Sequence, residues 1–176
     1  MDTTIIQAIK NRQCTFRFDP TPISDEYIQV ILDAGRWAPS WLNRQPWRFY
    51  VITESKMKQR IMKEAPSIFH EGILEAPATI AILVNVMDDP FHYIEAGAVA
   101  TQNMALAAYA LGLGSCWIGV FNLRGARRST EERIKNVLKV PKEYRLIALL
   151  PIGKPRMINQ ERARKGLEDI TSFNQF

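Results

Sequence analysis

The chain has 176 residues, of which 47% are hydrophobic and 23% charged, and its formal net charge is +5 at pH 7. This length can bury a sizeable core, and the hydrophobic fraction excludes an intrinsically disordered chain. We expect one domain spanning residues 1–176. The positive charge would suit nucleic acid, a phosphorylated cofactor or a solvated basic face. The first residues lack a charged segment followed by an apolar core, so we expect a cytoplasmic protein.

The first half of the chain predicts two helices and a strand. Ile5, Ile6 and Ile9 recur at helical spacing, and two prolines then break the chain. Ser24 is a candidate N-cap for the second helix, since acidic residues follow it. The apolar positions predicted to form the buried face of that helix are Tyr27, Ile28, Ile31 and Leu32. A strand is predicted over Arg48–Thr53.

In the second half of the chain, the predicted helices and strands do not alternate regularly. Thr79–Val86 is an uninterrupted apolar run, which is typical of a strand covered on both faces. The polar residues within Tyr93–Leu111 and after it favour a buried central helix over a membrane span, so we expect no membrane partner. The remaining predicted elements are helix Ser55–Ala65, strand Cys116–Val120, a helix from the capping box at Ser129 to Pro141, and strand Leu146–Ile152. Without a regular alternation or an internal repeat, this order predicts an α+β sheet flanked by helices.

A stiff polar loop lies between the second helix and the first strand. The segment from Ala38 to Phe49 contains two prolines and two tryptophans. The prolines restrict the backbone, and Ser40, Asn43 and Gln45 can donate and accept hydrogen bonds. Flat apolar rings beside such groups suit a planar heteroaromatic ligand with polar edges. A purely structural corner is the alternative.

Other kinds of site have little support in the sequence. The chain has two cysteines and two histidines, and none of them shows metal-ligand spacing. We therefore expect no metal. Cys14 and Cys116 are far apart and form no C-x-x-C pair, so both are predicted to be thiols. No basic stretch is interleaved with aromatic residues, so we expect no nucleic-acid partner. The basic cluster from Arg124 to Arg128 is interpreted as a solvated face.

The pattern A-P-S-x-x-N-x-Q-P-W in the loop resembles the FMN-dependent nitroreductase family. Three further segments resemble family signatures in the same order. They are Ile9–Phe18, Leu111–Gly119, and the closing Ile152–Pro155 with Arg162–Lys165. The resemblance implies a nitroreductase-like fold with a central, mostly antiparallel sheet. It also implies an intertwined homodimer with FMN at each end of the interface.

The resemblance also implies which residues contact FMN. Arg12, Arg162 and Arg164 match the phosphate and ribityl ligands, which suits the two-pronged arginine side chain. Gln13 and Cys14 match the positions that follow the first arginine, although serine is usual at the second. Phe16 stands where the family usually has a cation near the flavin pyrimidine. Arg17 or Arg48 could supply the missing charge.

The remaining predicted contacts come from two segments. Those matching the segment that reaches the flavin from the opposite subunit are Pro39, Ser40, Trp41 and Asn43. Trp117, Ile118 and Gly119 match the strand end that lies against the isoalloxazine. The backbone N–H of Gly119 is expected near flavin N5, and glycine there permits a close approach. No side chain is predicted to be catalytic, because the flavin carries the chemistry.

The implied activity is a ping-pong oxidoreduction. NAD(P)H would deliver hydride to FMN N5, and a small-molecule acceptor such as a nitroaromatic or a quinone would take the electrons. The short segment between the strands at residues 53 and 79 favours an open site. The alternatives are a sister flavin activity (dehalogenation, flavin fragmentation or dehydrogenation) and a non-catalytic module that binds flavin or nucleic acid.

Overall fold

The computed structural model describes residues 4–65, 68, 70–120, 129–157 and 163–175. The helices within these residues are α1 (Thr4–Asn11), α2 (Asp25–Arg36), α3 (Ser55–Glu64), α4 (His70–Glu75), α5 (Tyr93–Ala110) and α6 (Thr130–Leu138). The strands are β1 (Trp47–Ile52), β2 (Ala78–Asn85), β3 (Gly114–Ser115), β4 (Ile118–Gly119) and β5 (Tyr144–Gly153). No helix in these ranges is both long enough and apolar enough to cross a membrane.

The strands form one antiparallel sheet. Its order is β1–β2–β5–β3, and β4 pairs with β5 on the same side as β3. The predicted α+β class with an antiparallel sheet is therefore confirmed. β2 and β5 are the central strands, and both are buried over nearly their whole length.

Helices cover the two faces of the sheet. On β2, Ile80 and Ile82 pack in the core on the side of α2 and α5, whereas Ala81 and Leu83 pack on the side of α3 and α6. This alternation explains the apolar run, because each face of the strand meets a helical layer. Gly97 lets α5 approach the sheet closely, since an added Cβ would lie 2.6 Å from Cγ1 of Ile147.

Several predicted details differ in the structure. Tyr27 is 40% exposed, so its predicted burial in α2 is wrong. The close contact of α2 with α5 lies two turns further along, at Gly35, whose added Cβ would meet the Met104 side chain. The predicted strand Cys116–Val120 is shorter, because only Ile118–Gly119 pairs in it, and β3 precedes it.

The predicted apolar stripe of α1 lies on a helix with no buried residue. Ile5 is 71% exposed and Ile9 is 53% exposed. The helix forms as predicted, but its apolar face is uncovered in the single chain.

Candidate functional site

The segment after α1 lies along the β3 edge of the sheet. Cys14 forms a parallel bridge with Ser115, and the Thr15 N–H donates to the Ser115 carbonyl at 2.9 Å. Gly114 makes this approach possible, since an added Cβ would lie 2.1 Å from the Thr15 hydroxyl oxygen. The structure therefore brings Arg12–Phe16 together with β3, although nearly a hundred residues separate them in sequence.

Glu75 anchors the far end of this segment. The Glu75 carboxylate lies 2.8 Å from Nη2 of Arg17 and accepts the Phe18 N–H at 3.1 Å. The hydrogen bond from Arg17 lowers the pKa of Glu75. Arg17 is thus engaged by a carboxylate, and Arg48 donates to the Trp47 carbonyl at 2.9 Å. Both arginines therefore have partners within the chain, and Phe16 is partly buried.

A cavity of about 510 Å³ opens beside the segment. Lys10, Arg12, Gln13, Ser115 and Tyr109 are among its lining residues. The Nε atom of Arg12 is buried and has no hydrogen-bond partner among the described residues. Two cations and an unsatisfied buried donor are suited to an anionic group, and the volume lies in the range of small-molecule sites.

The surroundings of Cys14 lower the pKa of its thiol. A hydrogen bond from the Cys116 thiol is the largest cause that lowers its pKa to about 5, and the Trp117 N–H and the charge of Arg12 add to it. Burial opposes these effects. With this pKa, cysteine at position 14 can carry a negative charge at neutral pH, which the serine usual in the family cannot.

The edge of β5 carries the second part of the predicted site. Ser115 pairs with Ile152 and Ile118 pairs with Leu149. These partners are three residues apart on β5, so the two positions are about 10 Å apart along the edge. An elongated ligand could therefore contact both.

The residues around β4 offer backbone and ring surfaces. The Ile118 side chain is buried, whereas Trp117 is 39% exposed. An added Cβ on Gly119 would have Nε1 of Trp117 as its nearest atom, at 3.8 Å. The backbone at Gly119 is consequently open to a close approach.

The loop between α2 and β1, whose pattern resembles the nitroreductase family, has a constrained backbone. The Ser40 hydroxyl accepts the Gln45 N–H at 2.9 Å. Leu42, Asn43 and Gln45 have φ angles of 47°, 55° and 50°, in the left-handed region. Pro39 and Asn43 are exposed. A side-chain hydrogen bond and a left-handed backbone therefore constrain the loop, in addition to its two prolines.

Trp41 belongs to an aromatic cluster at the protein surface. Its ring centroid lies 5.7 Å from that of Phe91 and 5.6 Å from that of His92. Trp41 is 38% exposed. It is therefore partly open to solvent rather than a core tryptophan.

The loop and the N-terminal segment lie at opposite ends of the sheet. The Asn85 N–H at the end of β2 donates to the Pro46 carbonyl at 2.8 Å. Ala78, at the start of β2, pairs with Ile152, which also pairs with Ser115. The first and last residues of β2 are seven steps apart, which is about 24 Å. One chain therefore does not bring its loop to its own Arg12–Phe16 segment.

The predicted basic pair near the C-terminus is only partly visible. Arg162 lies outside the described residues. Arg164 is exposed, donates to the Ala163 carbonyl at 3.3 Å and is not among the residues that line the cavity. Its role as a phosphate ligand stays a prediction.

Lys10, Tyr109 and Ser115 are among the cavity residues that sequence reasoning missed. Lys10 belongs to the last turn of α1, two positions before Arg12, and its nearness to that arginine was a usable signal. Ser115 and Tyr109 gave no such signal, since their position depends on how β3 and α5 meet the N-terminal segment. The contact between Cys14 and Cys116 was missed for the same reason.

Comparisons with known proteins agree on one family. The model of the nitroreductase family matches residues 9–78 and 64–154. A protein of Methanothermobacter thermautotrophicus, provisionally named an NADH dehydrogenase/NAD(P)H nitroreductase, is 29% identical over 155 residues, covering 86% of this chain and 77% of its own length.

Two solved structures are also similar. An FMN-dependent nitroreductase from Clostridium difficile R20291 has a TM-score of 0.87 at 25% identity, covering 97% of this chain and 99% of its own. A provisionally named nitroreductase from Desulfovibrio desulfuricans, in complex with FMN, has a TM-score of 0.82 at 26% identity, covering 100% and 99% of the two chains.

Proposed function

This chain belongs to the nitroreductase family, and we propose that it is an FMN-dependent NAD(P)H oxidoreductase that reduces nitroaromatic or quinone-type acceptors. Two similar structures support the choice of cofactor, because one is named FMN-dependent and the other is a complex with FMN. The name of the Methanothermobacter thermautotrophicus relative supports NAD(P)H as the donor. We further propose that residues 1–176 form a single FMN-binding domain.

The observation that carries the proposal is the cationic cavity at the β3 edge. Arg12 and Lys10 line it, and Nε of Arg12 lacks a hydrogen-bond partner within the described part of the chain. A phosphate oxygen would satisfy that donor through a charge-assisted hydrogen bond. Gln13 and Ser115 can hydrogen-bond the adjacent polar chain of the ligand. The residues present therefore fit the phosphate end of FMN, and Arg162 and Arg164 are proposed to complete this set.

The β4 edge would hold the flavin ring. The backbone N–H of Gly119 is proposed to donate to flavin N5, and Trp117 and Ile118 to flank the ring. Bound FMN would supply the redox chemistry, accepting hydride from NAD(P)H and passing two electrons to the acceptor in a ping-pong cycle. The protein orients the two partners, and no side chain is needed as a dedicated acid because solvent can reach Trp117 and Gly119.

A homodimer would complete the site. Pro39, Ser40, Trp41 and Asn43 lie at the end of the sheet opposite Arg12–Phe16, so a second copy must supply them to the same flavin. The exposed apolar face of α1 supports association, because a patch of large aliphatic residues at a protein surface is typical of an interaction site. Sedimentation of the flavin-loaded protein should therefore give a dimer, and a monomer that retains flavin would contradict this part of the proposal.

The proposal is tested by the colour of the purified protein. It should be yellow, and the released cofactor should run as FMN rather than FAD on chromatography. Anaerobic NADH or NADPH should bleach it, and a nitroaromatic or a quinone should restore the colour. A protein that binds FMN without bleaching would be a non-catalytic module. A protein that neither contains nor takes up FMN would refute the proposal.

The role of Arg12 is tested with a matched pair of variants. Arg12→Ala should weaken FMN binding about 10- to 100-fold, since a hydrogen bond to a charged group contributes about 1.5–3 kcal/mol. Arg60→Ala removes an exposed arginine from α3 and should leave binding unchanged. Equal affinities for the two variants would mean that the phosphate lies elsewhere.

A further inference from the structure

We propose that Cys14 and Cys116 form a dithiol site that reduces hydroperoxides, with Cys14 as the nucleophile and Cys116 as the resolving thiol. The site is distinct from flavin chemistry, because both electrons come from the two sulfur atoms. It is built by the contact between the N-terminal segment and β3, which joins two cysteines that are remote in sequence.

The backbone places the two cysteines within disulfide range. Cys14 is bridged to Ser115, and Cys116 is the next residue. A bridge partner lies about 5 Å away and its neighbour about 3.3 Å further along the strand, which gives about 6 Å between the Cα atoms of Cys14 and Cys116. Disulfides join Cα atoms roughly 4.4–6.8 Å apart. The two thiols are already in hydrogen-bonding contact, and neither is in a disulfide.

The surroundings assign different roles to the two sulfur atoms. Cys14 is partly exposed, so a small peroxide can reach it, whereas Cys116 is only 5% exposed. The Cys116 thiol, the Trp117 N–H and Arg12 all stabilise the negative charge on Cys14 and hold its pKa at about 5. The same three groups can stabilise negative charge that develops on the peroxide oxygens. Cys14 is therefore the nucleophile, and the buried Cys116 thiol reacts only after Cys14 has been oxidised.

The reaction balances with a hydroperoxide as the oxidant. The Cys14 thiolate attacks the terminal oxygen, the O–O bond breaks, and the leaving oxygen takes a proton from solvent to become an alcohol or water. Cys14 is then a sulfenic acid. The Cys116 sulfur attacks the Cys14 sulfur, the S–O bond breaks, and water leaves as the disulfide forms. Two thiols have lost two electrons and one peroxide has gained them. Two equivalents of a small thiol restore the dithiol by exchange.

The test uses the purified protein, reduced and then treated with one equivalent of hydrogen peroxide without NAD(P)H. Both thiols should be lost, and the chain should become about 2 Da lighter as the disulfide forms. Trypsin cleaves after Arg12 and Arg17, so the short peptide Gln13–Arg17 should be found joined to the peptide that carries Cys116. This mapping needs no variant.

Two variants separate the roles of the cysteines. Cys116→Ser should stop at a sulfenic acid on Cys14 that dimedone traps. Cys14→Ser should lose its remaining thiol at least about 10-fold more slowly, since an ordinary thiol is mostly protonated at neutral pH. The wild-type rate should change little between about pH 6 and pH 8, whereas an ordinary thiol reacts faster as the pH rises.

Three results would overturn the proposal. The first is a disulfide that joins Cys14 residues of two chains instead of Cys14 to Cys116. The second is oxidation of Cys14 to sulfinic acid with Cys116 still a thiol. The third is equal rates of thiol loss in wild type and Cys14→Ser. None of these results bears on whether the protein binds and reduces FMN, so the two proposals fail separately.

Discussion

Replacement of Gly119 by alanine separates a role in ligand binding from a role in folding. An added methyl group would have its nearest neighbour at 3.8 Å, which is an ordinary van der Waals contact. We therefore expect the free energy of unfolding to change by less than about 0.5 kcal/mol. If a flavin lies against this backbone, however, the methyl group occupies the space that the ring needs.

The expected effect on FMN is large enough to measure. Forcing a methyl group into a filled contact costs about 1–3 kcal/mol, which corresponds to roughly a 5- to 150-fold weaker dissociation constant. Titration of the apoprotein with FMN, followed by flavin fluorescence, gives that constant. Thermal unfolding followed by circular dichroism reports on stability.

Gly97→Ala is the matched control. Its added Cβ would lie 2.6 Å from Cγ1 of Ile147, in the packing of α5 on the sheet. We expect this variant to lose about 1–3 kcal/mol of stability and, while folded, to bind FMN as the wild type does. Unchanged FMN affinity in Gly119→Ala would refute the placement of the flavin ring, and loss of its fold would refute the reasoning from open space.

Three further outcomes are expected. Arg164→Ala should weaken FMN binding about 10- to 100-fold, since a charge-assisted bond is lost; an unchanged dissociation constant would leave Arg164 as a surface residue. Phe16→Arg should raise the reduction potential of bound flavin by roughly 30 mV, or about 1.4 kcal/mol, because a nearby cation favours the anionic reduced form; a dye-coupled titration that finds no rise contradicts it. The pKa of Cys14 falls from 9.0 to about 5 on folding, so its stabilisation is full above pH 9 and is lost as the pH falls towards 5. In urea denaturation, the free energy of unfolding of the wild type should therefore exceed that of Cys14→Ser by an amount that grows as the pH rises from 5 to 9. A difference that stays constant over this range would contradict the thiolate.

Local signals in the sequence were sufficient for most of the fold. The capping box at Ser129, the N-cap at Ser24 and the apolar run of β2 each mark an element by nearest-neighbour chemistry, and each is present in the structure. β3 was not predicted, because a two-residue strand has no periodicity of its own. It forms through its pairing with β5 at Gly153 and Ile152 and its bridge to Cys14.

The candidate site was predictable as a set of segments but not as a geometry. Motifs identified the N-terminal segment and the loop, yet nothing local indicates that Cys14 meets Ser115. The pairing of Arg17 with Glu75 also joins residues that are far apart in sequence. Such contacts arise from tertiary packing, which single-sequence patterns do not encode.

The backbone of the loop at Leu42 has a consequence for protein engineering. A leucine with a φ angle of 47° pays a steric penalty of about 1–2 kcal/mol relative to an ordinary conformation, and its side chain is 69% exposed, so little packing compensates. Glycine at this position would remove the steric clash, although it would also make the unfolded chain more flexible. Thermostability can therefore be sought at position 42 without altering the core. Melting temperatures of a set of variants at this position alone would measure how much the backbone strain at Leu42 destabilises the protein.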